Sequence, residues 1–153
     1  MAATVNGIAI GVDVMAGFPS EGEDKFKNTL HLLQDLPVAY LHVFSYSERP
    51  GTLTQKIQPK VPEALKKDHA AILRNLGIKK REEFALRFLS KKLNVLGEKA
   101  KDKKAALMKG FSQNYMQVRL EENNYSIVNN IVIVTVQAVK FRDGKLYEKI
   151  VSG

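Results

Sequence analysis

Three groups of side chains in this sequence have the types and spacing to do chemistry. The first is Gly17-Phe18-Pro19-Ser20-Glu21, where turn formers meet a ring and a carboxylate. The second is Tyr46-Ser47-Glu48-Arg49-Pro50-Gly51-Thr52, which packs hydroxyls, a carboxylate and a guanidinium into one turn-rich stretch. Within it, the planar fork of Arg49 can grip a carboxylate or a phosphate through two bonds. The third group is Lys109, Phe111, Gln113, Asn114, Tyr115 and Arg119, cations and amides interleaved with flat rings. Basic grooves with stacking aromatics are how small barrels hold single strands of nucleic acid. A ring that points into a core would look the same in the sequence.

Other constellations are sparse. Asp13, Glu21 and Glu48 are positioned to converge with the first two groups, although Glu21 equally suits a helix start. His31 reads as part of a structural helix, His69 as a solvated helical position and His42 as a strand residue that either faces a barrel interior or sits in the core. Nucleophile-elbow, zinc-protease, Walker and dinucleotide-binding signatures are missing from the chain. It also has no cysteine, which excludes a disulfide framework, a thiolate zinc site and a cysteine-held iron–sulfur cluster within these residues.

The elements that must carry these groups are legible. The run IAIGVDVMAGF over 8–18 is short and rich in Ile and Val, as in a strand buried on both faces of a parallel sheet. Ser20 and Glu23 have capping-box spacing, and Glu21, Glu23 and Asp24 suit the positive end of a helix dipole. Phe26, Leu30, Leu33 and Leu36 then recur at helical spacing, and Pro37 stops the helix. The stretch VAYLHVF over 38–44 reads as a second strand, completing a βαβ unit. The first two groups follow the carboxyl ends of its two strands, where ligands of α/β sheets bind. Ordinary strand-to-helix loops would also place them there.

Pro59, Val61 and Pro62 mark a connector, followed by helix over roughly 62–93, interrupted at Gly77. Beyond Asn94 the period changes. NVLGEK, GFSQNYMQVRL, NNIVIVTVQAVKF and KLYEKIV read as strands, KDKKAA as a polar connection and Asp143-Gly144 as a hairpin turn. Together they predict a small closed or nearly closed barrel.

Charge divides the chain. Residues 1–55 carry a net −3, 56–90 a net +5 and 91–153 a net +6, within a total of +8. A basic second half favours nucleic acid through phosphate neutralisation, or is simply a solvated surface. No run of 18 apolar residues is present, so no membrane partner is expected. The N-terminus has no secretory pattern, which fits a cytoplasmic location.

Two motifs in this order resemble the late part of the radical S-adenosylmethionine methylthiotransferases. Members carry a strand ending in GFPGE-T, a helix, and a strand ending in YS-x-RPGT. Here the first motif has Ser20 in place of Gly and Gly22 where Thr is common, and the second is intact from Tyr46 to Thr52. The preceding YLHVF is most similar to the branch acting on threonylcarbamoyladenosine in tRNA. Gly110, Ser112, Asn114, Tyr115 and Val118 match the G-x-[ST]-x-N-Y-x-x-V pattern of the TRAM domain, a small RNA-binding barrel.

The resemblance implies an α/β part followed by an all-β part. Residues 1–60 would be the last βαβ of a radical S-adenosylmethionine partial TIM-type barrel. Residues 61–93 would link it helically to a TRAM (OB-like) antiparallel β-barrel over 94–153. It implies that Gly17, Phe18, Pro19, Glu21, Tyr46 and Ser47 line a cofactor pocket. Arg49, Lys109, Asn114, Tyr115 and Arg119 would contact substrate, the anticodon stem-loop of a tRNA. The intact enzyme would use S-adenosylmethionine and two 4Fe-4S clusters to methylthiolate a hypermodified adenosine beside the anticodon. All cluster cysteines of the family lie upstream of the matched motifs. The chain is therefore expected to be a C-terminal portion that binds no cluster, has no catalytic residue of its own and is inactive alone. A stand-alone RNA-binding adaptor is the alternative. Residues 1–55, with bare edges and Ile8, Ile10, Val12, Val14, Leu41, Val43 and Phe44 short of neighbours, are expected to self-associate, swap or order loosely.

Overall fold

A computed structural model describes residues 5–101, 108–120, 128–142 and 145–152. The expected connection over 102–106 and the Asp143-Gly144 turn lie outside the described residues. The chain divides into two compact units, Ile10–Lys80 and a second made of Met1–Ala9 with Arg81–Gly153.

The first unit is the expected βαβ. Strand β1 (Gly11–Ala16) pairs in parallel with β2 (Tyr40–Ser45), with helix α1 (Glu23–Asp35) as the crossover. Helix α2 (Glu63–Leu86) follows a short 3-10 segment at Leu53–Lys56. Ala16, Phe26, Leu33, Val38, Leu41, Ala70 and Leu73 are buried together, with Ile10, Val12, Val14, Leu30 and Val43 packed against them. Alternation along a strand puts one side chain in two on each face. Val12, Val14, Leu41 and Val43 thus meet the helices, whereas Asp13, Met15, His42 and Phe44 are exposed on the other face.

Several expectations need correction in this unit. The two strands are covered on one face, not both, because helices pack on one side of them. Of the residues expected to lack neighbours here, Phe44 is exposed at 52%, while Ile10, Val12, Val14, Leu41 and Val43 are in the core. Met15 joins Phe44 in exposure at 50%. The capping box does not form. Gly22 is the N-cap of α1 without a side-chain bond, and Ser20 turns back at φ 67° while its N–H donates to the Pro59 carbonyl. Helix α2 runs unbroken through Gly77 and ends at Leu86. A Cβ at Gly77 would stand 3.2 Å from the Leu41 Cβ, so the glycine admits close helix–strand approach. Among the described residues, no helix is long and apolar enough to cross a membrane.

The second unit is a closed barrel of β3 (Lys92–Lys101), β4 (Met108–Ser112), β5 (Gln117–Leu120), β6 (Ile131–Arg142) and β7 (Lys145–Ser152). Its cyclic order is β3-β4-β5-β7-β6. Leu93, Val95, Met108, Val118, Val134 and Val136 are buried in alternating positions and fill it. The expected all-antiparallel barrel is corrected at one seam, where β5 and β7 run parallel. Parity explains it: five strands in a closed ring cannot alternate direction everywhere, so at least one pair must agree. The expected single strand GFSQNYMQVRL is instead β4, a turn and β5.

Candidate functional site

The two motif loops meet in the first unit. Phe18 packs edge-on to Tyr46, with ring centroids 5.3 Å apart at 73°. Tyr46 extends the strand pairing by donating its N–H to the Ala16 carbonyl at 2.8 Å. The ammonium of Lys66 lies 5.5 Å from the centre of the Tyr46 ring. The Tyr46 hydroxyl is buried with no hydrogen-bond partner. A buried hydroxyl without a partner costs about 1–3 kcal/mol, so its position calls for an explanation.

The first loop is clamped from behind. The Gly17 N–H donates to Glu21 Oε2 at 3.0 Å, closing the loop on its own carboxylate. Gly17 sits at φ 79°, and a Cβ there would fall 2.3 Å from Lys66 Cγ. Only glycine tolerates that backbone and that approach without strain. Glu21 Oε1 lies 3.0 Å from His69 Nδ1, and Glu23 Oε1 lies 3.3 Å from His69 Nε2. The imidazole is 2% exposed and stacks on Phe26 at 3.7 Å and 6°. Each ring nitrogen thus faces one carboxylate oxygen, Glu21 on one side and Glu23 on the other. The solvated position expected for His69 is therefore overturned: it is the pin between α2 and the loop.

The second loop is knitted by Lys60. Its ammonium bonds Glu48 Oε2 at 2.8 Å and the carbonyls of Gln55 at 2.9 Å and Thr54 at 3.3 Å. The hydrogen bond from Lys60 holds the Glu48 carboxyl below the usual carboxylate range. Thr52 Oγ1 donates to the Arg49 carbonyl at 2.8 Å, and the Gly51 N–H to Gln55 Oε1 at 3.1 Å. Ser47 and Arg49 are exposed on this loop. Asp13, Glu21 and Glu48 do not converge: Asp13 stands opposite His42 in the strand register, Glu21 turns to His69 and Glu48 to Lys60. His42 is exposed, beside Tyr40 at 5.2 Å, not a core residue, because its face of the pair carries no helix.

In the barrel the motif residues separate into builders and presenters. Gly110 is required, since a Cβ would fall 2.5 Å from Val95 Cγ1 and 2.7 Å from the Leu96 carbonyl oxygen. Ser112 bonds the carbonyl and the N–H of Met116, and its hydroxyl donates to Asn114 Oδ1. Asn114 is buried, and its amide also donates to the Gly7 carbonyl at 3.4 Å. The turn so held pushes Tyr115 outward at φ 60° and 82% exposure. Lys109 faces Arg119 across β4 and β5 on the outer surface, with Glu98 opposite Lys109 on the other side.

His69, Lys60 and Lys66 were missed in the sequence. The spacing of His69 with Leu65 and Leu73 on one helical face was a readable signal. The Glu48 partner of Lys60 and the Tyr46 contact of Lys66 depend on tertiary contact and left none. Among the described residues, no group of three or more metal-ligating side chains occurs.

No protein-family model matches the chain. Curated proteins do. The threonylcarbamoyladenosine tRNA methylthiotransferase of Aquifex aeolicus is 44% identical over 88 residues, 58% of this chain and 22% of that protein. The enzyme of the same name from Rickettsia prowazekii is 41% identical over 91 residues, 60% of this chain and 21% of that protein. The tRNA-2-methylthio-N(6)-dimethylallyladenosine synthase of Pseudomonas savastanoi is 30% identical over 134 residues, 88% of this chain and 30% of that protein. The chain thus spans between a fifth and a third of the length of these relatives. On these matches, the chain belongs to the tRNA methylthiotransferase family of enzymes and corresponds to a C-terminal part of it.

Proposed function

We propose that this chain supplies two working parts of a tRNA methylthiotransferase. One is a wall of the S-adenosylmethionine pocket, and the other is an OB-like TRAM barrel that holds the anticodon stem-loop. The observation that carries the first part is the contact of Phe18 with Tyr46 at the ends of two parallel strands, beside a buried hydroxyl that has no partner. The half-exposed Phe18 ring, held against Tyr46, fits the flat base of an adenosine-bearing cofactor, and Gly17, Phe18, Pro19, Tyr46 and Ser47 would hold it. When bound, S-adenosylmethionine supplies the methyl group and the radical chemistry of the family. Glu21 acts indirectly, by fixing the Gly17 backbone. Arg49 binds the carboxylate of a threonylcarbamoyl group or a nearby phosphate of the tRNA.

The iron–sulfur groups do not fit these residues, since the chain contains no cysteine. This portion alone therefore holds no cluster and turns over no substrate. Activity belongs to the cysteine-bearing part of the enzyme together with this one, in the cytoplasm.

The barrel supports the RNA reading through charge. Residues 91–153 carry a net +6, and Lys109 and Arg119 stand side by side on its surface. The reading of a stand-alone RNA-binding adaptor shares this half and differs in having no cofactor wall. Fluorescence anisotropy of an anticodon stem-loop with the full chain tests the proposal. Binding is expected to weaken linearly on a log–log plot against salt, by about 0.7–0.9 per phosphate neutralised. Salt-independent binding, or none at low salt, would remove the barrel's assigned role.

A further inference from the structure

The outer face of the barrel carries a feature that charge does not explain. Ile131, Leu96, Phe111 and Gln117 stand directly opposite one another on four successive strands. Directly opposed residues of antiparallel strands point to the same face. Ile131 is 72% exposed, and Leu96 and Phe111 are also exposed. Beside this rung lies a hollow of about 370 Å³ lined by Asn94, Leu96, Phe111, Ser112, Gln113, Tyr115 and Ile131. Four of those seven side chains are apolar or aromatic, which is a poor surface to leave in water.

Polar groups sit at defined places around it. Asn94 Nδ2 donates to Gln113 Oε1 at 3.2 Å, which leaves Asn94 Oδ1 and Gln113 Nε2 outside that bond. An acceptor and a donor on one amide pair match the edges of nucleobases. Lys109 and Arg119 lie on the neighbouring rung of the same face, two residues along from Phe111 and Gln117. Two residues of strand span about 6.6–6.8 Å. That separation lets a phosphate rest on the cations while its base lies on the rings.

Tyr115 is held where a platform is needed. Its φ of 60° is unfavourable for a side chain with a Cβ, and such strain persists where the surroundings impose it. Ser112 and Asn114 impose it from inside the turn, and the product is an exposed ring at the mouth of the hollow.

We propose that this hollow seats one unstacked nucleobase of a single-stranded RNA segment, laid against the Tyr115 ring. The proposal rests on the RNA reading of the barrel and adds to it the state of the RNA, a base free of pairing. Duplex RNA cannot enter, because its bases are stacked and paired. An apolar peptide would fill the hollow without using the cations one rung away.

The test uses the full chain and a single-stranded RNA carrying one 2-aminopurine, compared with the same strand annealed to its complement. Quenching of the 2-aminopurine and tighter binding of the single strand are expected. Tyr115→Ala should weaken single-strand binding roughly five- to 150-fold, the range of one base–ring stack, with the salt slope unchanged. Tyr115→Phe and Tyr115→Trp should bind nearly as the parent does, and Ile131→Asp should lose affinity. Because Tyr115 and Ile131 are exposed, unfolding midpoints serve as the folding control. Equal binding of duplex and single strand, or wild-type affinity in both Tyr115→Ala and Ile131→Asp, would overturn the base site while leaving the phosphate grip intact. Absence of any RNA binding would overturn both readings.

Discussion

At the scale of single residues, the motif positions divide by what they touch. Gly17 and Gly110 stand where a Cβ would collide, Ser112 and Asn114 close a turn, and Phe18, Tyr46 and Tyr115 present rings. His69 has a large stake in the stability of the first unit. Its ring is buried, stacked and bonded to Glu21, whose side chain is 14% exposed, so removing it strands a carboxylate out of water. The Glu23 partner is half exposed and contributes little, as exposed pairs do. His69→Ala is expected to lower stability by about 2–4 kcal/mol, read from urea unfolding, and Glu23→Gln by under about 1 kcal/mol. Equal losses in the two variants would mean that the loop is not pinned through Glu21. The turn residues of both motifs were legible from their types. The buried side of His69 was readable from Leu65 and Leu73 on its helical face, but its carboxylate partners were not, because they lie on a segment far away in sequence.

At the scale of elements, close approach decides which glycines matter. Gly110 lets β4 lie against β3, and a methyl there would meet the Leu96 backbone, which cannot rotate away. Gly110→Ala is expected to destabilise the barrel by about 1–3 kcal/mol, the range of overpacked cores, measured by thermal unfolding. An unchanged midpoint would show that β3 and β4 separate easily. Gly77 answers the same demand, between a helix and a strand. It reads as a helix break, yet α2 continues through it because Leu41 of β2 occupies the space a side chain would need. The β-period of the second half was clear, but the turn inside GFSQNYMQVRL was not. Its signal is the Ser112–Asn114–Met116 bonding, which appears only once the chain has reversed.

At the scale of the whole molecule, each unit has its own core, and the first keeps an apolar strip in water. Met15 and Phe44 face each other in the β1–β2 register and are half exposed, and among the described residues both strands have an unpaired edge. Such surfaces seek cover. The chain is expected to self-associate reversibly with rising concentration in sedimentation velocity, and Met15→Glu with Phe44→Glu should restore the monomer. A concentration-independent monomer in the parent would show that this strip is tolerated in water. The sequence by itself determined the βαβ order, the long helix, the β-rich basic half and the residues of both motif loops. Those follow from neighbours along the chain, through periodicity, turn chemistry and charge. Only the tertiary structure decided that His69 pins the first loop, that Asn114 holds a turn, and that Ile131, Leu96 and Phe111 share one rung. Those facts depend on register and packing between segments far apart in sequence, and one residue of slip along a strand would have turned Ile131, Leu96 or Phe111 to the other face.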